Sequence, residues 1–209
     1  PGVGAIHTQS YWSGYNQIMA SDMMDLGLSP EEIIDYIVEN DVSNNPSIRQ
    51  YGIVDLYEGG RSAAFTGSNC MDYKNHILGS NYAIQGNILL DENILLSMEE
   101  SFNQTVGTFT DKLMAALQGA NLPGADSRCL SNNTSSLSAF IRVAKPLDEE
   151  GDYYLDLNVN NTTNENEPID ILQDNDIFGK RMLFSGSFWE FSCRSRTYST
   201  LYYIDRNDF

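Results

Sequence analysis

Basic residues are scarce in this chain: 12 lysines and arginines stand against 29 aspartates and glutamates, a formal charge of −17 over 209 residues. A field of that sign repels phosphate backbones, so neither nucleic acid nor an anionic membrane surface is expected as a partner. Histidine is scarcer still, with only His7 and His76 in the whole chain. The three cysteines, Cys70, Cys129 and Cys193, form no C-x-x-C pair, which argues against a zinc knuckle or a thioredoxin-like site. No apolar run approaches the roughly 18 to 20 residues of a membrane helix, so no membrane insertion is expected. G-x-G-x-x-G and G-x-x-x-x-G-K-[ST] are both missing, which speaks against dinucleotide and P-loop chemistry. No cofactor and no metal centre is expected.

What is present is a globular composition, 41% hydrophobic and 20% charged, enough for one domain with its own core. Ile18, Met19, Met23 and Leu26 fall at helical spacing ahead of Gly27. "SPEEIIDYIVEND" (29–41) carries Ser29 as N-cap, Pro30 in the first helical position and Glu32 three residues on. The period then changes to two. Strands are expected at 48–56 and 61–67, joined by "YEGG", and again at 81–90. Helices follow at 91–105 and 109–120, a turn-rich loop at 121–135, strands at 136–144 and 153–160, and a short acidic helix at 167–174. Runs of each type without βαβ alternation predict an α+β fold, with Ile33/Ile37 and Leu113/Leu117 covering two separate faces. The chain divides into a domain at 1–178 and an aromatic, β-prone, comparatively basic extension at 179–209.

Richness in Asn, Ser, Thr and Tyr suggests a secreted or extracellular protein, a periplasmic one included. N-x-[ST] patterns at Asn103, Asn132, Asn133, Asn160 and Asn161 are glycosylation candidates, although so common a composition produces several such matches by chance. The odd cysteine count allows one disulfide and a free thiol, or three buried thiols. Cys70, Asp72 and His76 form C-x-D-x-x-x-H, whose residue types suit a metal. With one other histidine in the chain, the preferred reading is a structural loop, His76 bonding backbone and Asp72 capping a turn.

"GVGAIHTQ", "GLSPEE", "RQYGIVD", "AAFTG", "CMDYKNHILG", "IQGNIL" and "LMAALQGA…GADSR" occur in an order and spacing that resembles the domain of unknown function 1028 family, from Gly2 to about Ile171. That resemblance implies a four-layer αββα sandwich of the Ntn-hydrolase type. It also implies two further strands before Gly2, so the N-terminal strands of the sandwich are expected to be missing from this chain. Self-association, or a partner chain supplying strands, is the corresponding expectation. The apolar stretches Met182–Leu183–Phe184, Phe188–Trp189 and Leu201–Ile204 are suited to that role.

Ntn hydrolases use the side chain of an N-terminal residue as nucleophile, with its own amine as base. Pro1 offers no such side chain. Polar groups at matched strand ends are the expected site. Thr8, Thr66, Asp126 and Arg128 are the catalytic candidates, and Gln9, Arg49, Gln50, Gln85 and Asn87 the substrate-binding ones. In that reading Arg49 or Arg128 holds a carboxylate or oxyanion, Asp126 orients the arginine or acts as base, and Gln85 and Asn87 donate to a carbonyl. Cys70 and Cys129 lie on loops expected to meet near this site and are the disulfide candidates; Cys129 with Cys193 is the competing pair. Two functions are expected in order of preference: an exported, non-catalytic protein for binding or extracellular assembly, then a hydrolase of amide-type bonds.

Overall fold

The computed structural model describes residues 2–149, 151 and 153–159. The expected helix at 167–174, the extension at 179–209, Cys193, Asn160 and Asn161 lie outside the described residues.

A three-stranded antiparallel sheet is built from β1 (Gly4–Gln9), β2 (Gln50–Asp55) and β3 (Ser62–Thr66), with β2 in the centre. Register places Thr8 opposite Tyr51 and Phe65, and Gln9 opposite Gln50 and Thr66. Because side chains alternate across a strand, these two rows lie on opposite faces.

Helices α1 (Gly14–Asp25) and α2 (Pro30–Glu39) cover the first face. Ser13 caps α1, and Gly27, at φ 85°, ends it with Gly27 and Leu28 N–H groups returned to Met24 and Met23 carbonyls. Ser29 and Glu32 form the expected capping box of α2 behind Pro30. Ile33 and Ile37 of α2 and Tyr51 and Ile53 of β2 are completely or almost completely buried in one cluster with Ala20 and Met24 of α1. Each such aliphatic side chain contributes about 1.5 to 3 kcal/mol by leaving water.

The second face meets a hairpin of β4 (Asn75–Leu78) and β5 (Ala83–Gly86). The β4 strand falls in a stretch read from sequence as a loop, and β5 is shorter than the 81–90 expected. Helix α3 (Asn93–Gln104) packs on this hairpin and on α4 (Phe109–Gly119), which Thr108 and Asp111 cap. Leu113 and Leu117 of α4 meet a second core made by Ile141, Val143 and Leu157 of the hairpin β6 (Ala139–Val143) and β7 (Leu155–Val159). The two apolar stripes therefore cover separate faces, as their spacing required. The chain is α+β, with helix pairs on small antiparallel sheets. No helix among the described residues is long and apolar enough to cross a membrane.

Candidate functional site

Gln50 sits at the start of β2 on the face turned to the β4–β5 hairpin, with no solvent exposure. A buried carboxamide is costly unless every group is paired, and here it is. Its Nε2 donates to the backbone carbonyls of Asn75 (3.1 Å) and Gly86 (2.9 Å) and to Thr66 Oγ1 (2.9 Å), two protons shared among three acceptors. Its Oε1 accepts from Gln9 Nε2 at 2.7 Å and from Asn87 Nδ2 at 3.0 Å. Thr66 Oγ1 lies 2.9 Å from His76 Nδ1. One side chain thus joins β1, β3 and both strands of the hairpin.

These bonds have a single consistent polarity. Backbone carbonyls only accept, so they fix which end of Gln50 is the amine. The oxygen end must then accept, which turns the amines of Gln9 and Asn87 inward and leaves their oxygens outward. Thr66 accepts from Gln50, and the one acceptor for its hydroxyl proton among the described residues is His76 Nδ1, an arrangement that puts the histidine proton on Nε2. Burial pushes the His76 pKa down, in keeping with a neutral imidazole. Gln9, Thr66, His76 and Asn87 are each partly open to solvent.

Gln85 faces the same way from β5, in register with His76. Its side chain crosses β2 at Gly52, where a Cβ would collide with the carboxamide. Gln85 Oε1 is buried with no hydrogen-bond partner among the described residues.

Of the other residues singled out from sequence, Thr8 and Arg49 lie outside this cluster. Thr8 is on the helix-facing side and donates to Gln17 Oε1 of α1 at 3.2 Å. Arg49 enters a different network, its Nε donating to Asp41 Oδ2 at 2.8 Å, with side chains 6% and 0% exposed. Asn16 donates to Asp41 at 2.5 Å and to the Tyr51 hydroxyl at 2.7 Å. Burial works to raise the Asp41 pKa, but hydrogen bonds from Arg49, the Asn45 and Ser43 amides and Asn16 hold it well below the usual carboxylate range. Burial raises the Tyr51 hydroxyl, with the Asp41 charge acting in the same sense. Arg49 also donates to the Tyr11 carbonyl, clamping a turn in which Ser10 and Tyr11 have φ of 56° and 53°.

Asp126 and Arg128 pair with each other at the head of a 3₁₀ turn (Ser127–Asn132), Nη2 to Oδ2 at 2.5 Å, with the Arg128 side chain 69% exposed. The arginine lowers the Asp126 pKa. Arg49 is buried with its aspartate and is not offered to a ligand carboxylate, whereas Arg128 is paired with Asp126 but largely exposed.

Cys70 and Cys129 are free and buried, so the expected bridge is not formed. Cys70 Sγ turns inward to the Arg49 carbonyl at 3.2 Å, and Cys129 is enclosed in the 3₁₀ turn. The C-x-D-x-x-x-H residues diverge: Cys70 goes to Arg49, Asp72 to Lys74 Nζ at 2.6 Å, and His76 to Thr66. Among the described residues no group of three or more His, Cys, Asp or Glu side chains could hold a metal ion. Asn103, Asn132 and Asn133 are exposed.

Sequence reasoning missed Asn16, Asp41 and the Thr66–His76 contact. The signal for Asn16 was its spacing, since 16, 20 and 24 share one helix face with Ala20 and Met24 in the core. A polar residue on an apolar stripe requires a buried partner.

Residues 1–172 match the model of a family of unknown function, DUF1028. Protein SPO2555 from Silicibacter pomeroyi, a crystal structure assigned to the same family model, is similar at 26% identity with a TM-score of 0.50. The match covers 56% of this chain and 56% of that one, so the chain spans little more than half the length of that structure. No curated protein matches the chain.

Proposed function

Because the chain belongs to the DUF1028 family of unknown function, we propose that it is an exported binding protein whose ligand site is the cluster Gln9–Gln50–Thr66–His76–Asn87. The observation that carries this reading is the complete pairing of Gln50, which holds Gln9, Thr66 and Asn87 directly and His76 through Thr66, and leaves Gln9 Oε1, Asn87 Oδ1 and His76 Nε2 without a partner among the described residues. Preorganised polar groups of this kind orient a ligand without an ordering cost on binding. The scaffold proposed for it is a four-layer αββα sandwich of the Ntn-hydrolase type. The order α1/α2, three-stranded sheet, β4–β5 hairpin, α3 supports it. Partner chains enter at β1, which among the described residues is strand-paired on one side only, to β2. A segment from a neighbour, or 181–204 of this chain, would extend the sheet there.

The test is a thermal-shift screen of wild type and Asn87→Ala against small amides, amino acids and sugars. A ligand held by the cluster at a hundred times its Kd stabilises wild type by about 2.7 kcal/mol and the variant by less. Equal shifts in both proteins, or none in either, remove the reading.

The contact of 2.9 Å between Thr66 Oγ1 and His76 Nδ1 favours a second reading, hydrolysis of amide-type bonds, since a hydroxyl beside a neutral imidazole is an activated nucleophile. Turnover of a p-nitroanilide that vanishes in Thr66→Ala would move the balance to it.

A further inference from the structure

We infer that the cluster recognises an uncharged primary carboxamide or urea group, rather than the carboxylate or oxyanion expected from its arginines. This rests on the cluster being a ligand site and adds the chemistry of what it takes.

The argument follows from hydrogen-bond polarity. With Gln50 oriented by the Asn75 and Gly86 carbonyls, Gln9 and Asn87 present Oε1 and Oδ1 as acceptors, neither with a partner among the described residues. His76, accepting at Nδ1, presents Nε2–H as a donor. Two acceptors and a donor complement one –CO–NH₂ group, whose amine donates twice and whose carbonyl accepts once. Gln85 Oε1, buried and unpartnered on the same hairpin face, is a third acceptor in need of an N–H. No ionised side chain belongs to the cluster, so a ligand charge would lose hydration with nothing to offset it. Arg49, a cation that would have received an anion, is buried and committed to Asp41, and the charge of the exposed Arg128 is matched by Asp126. The net charge of −17 further opposes an anion.

Butyramide, butyrate and butylamine share size and shape and differ only in the head group. Each is titrated into ¹⁵N-labelled protein at pH 7.5 while the His76 ring and the Gln9, Gln85 and Asn87 side-chain amides are followed by NMR. Butyramide is expected to shift these resonances, and the other two to leave them unmoved. Gln9→Met, at a partly exposed position, should weaken butyramide at least tenfold while the rest of the spectrum is retained. Asn87→Asp should exchange the preference, losing butyramide and gaining butylamine. Binding of butyrate or butylamine to wild type as tightly as butyramide overturns the inference and leaves the ligand site standing. No movement of the cluster with any of the three overturns both.

Discussion

On either side of Gln50, Arg49 and Tyr51 reach towards helices α1 and α2, whereas Gln50 itself reaches towards the β4–β5 hairpin. The first cluster holds an ion pair with Asp41 completely shielded; the second holds no charge and opens partly to solvent at its rim. Buried charges must be paired internally to be tolerated, so the Asp41–Arg49 cluster has no valence left for a ligand. Neutral amides can be half spent. Gln50 is fully used, while Gln9 and Asn87 keep an oxygen each. The charged cluster therefore reads as structure and the neutral one as the proposed site.

The sharpest break of that contrast is Asp41→Ala. It leaves Arg49 buried without its counter-charge and frees the Asn16 amide, and should cost about 3 to 5 kcal/mol in urea unfolding. The same pair gives an acid signature. The folded Asp41 pKa is depressed, so its stabilisation is complete above the ordinary aspartate value of about 3.9 and is lost as pH falls through the folded value. An unfolding series that shows no Asp41-dependent loss below about pH 4 contradicts this.

Gln50→Leu comes next. It strands the Asn75 and Gly86 carbonyls and the Gln9 and Asn87 amines, and should cost about 2 to 3 kcal/mol because the rim groups recover water. A cost equal to that of Asp41→Ala would erase the distinction between the clusters.

Gly52→Ala is milder, about 1 kcal/mol, since the displaced atoms belong to the flexible Gln85 side chain. Butyramide binding should fall while the unfolding midpoint moves little; unchanged binding would remove Gln85 from the site.

The smallest effect belongs to His76. Burial lowers its folded pKa, so the unfolded chain takes up the proton first, and stability declines as pH drops below the unfolded value of about 6.5. His76→Gln should flatten that slope between neutrality and the Asp41 transition. A slope indifferent to the substitution contradicts the neutral-imidazole assignment.

Local rules reached the helices well. Ser29, Pro30 and Glu32 place the start of α2 to the residue, and Gly27 ends the helix before it. Strand edges were legible only where alternation was long. The four residues of β4 supply two alternations, too few to distinguish from a loop, and their pairing with β5 is a non-local decision. The same holds within the site. Gln9, Gln50, Thr66 and Asn87 could be singled out as polar groups at strand ends. Thr8 and Arg49 belonged to the same sequence pattern and separated from them only through side-chain alternation across the assembled sheet.

Composition, capping residues and apolar spacing by themselves determined an acidic α+β chain, the positions of the four α-helices among the described residues and the two stripes those helices bury. These are properties of neighbours in sequence, set by backbone geometry and the cost of exposing apolar surface. Which arginine meets which aspartate, that Cys70 donates to a carbonyl instead of joining Cys129, and which end of each carboxamide faces outward were decided only by the tertiary structure. Hydrogen bonds and ion pairs are directional and act over about 3 Å, so their partners are chosen by whichever strands the register brings side by side.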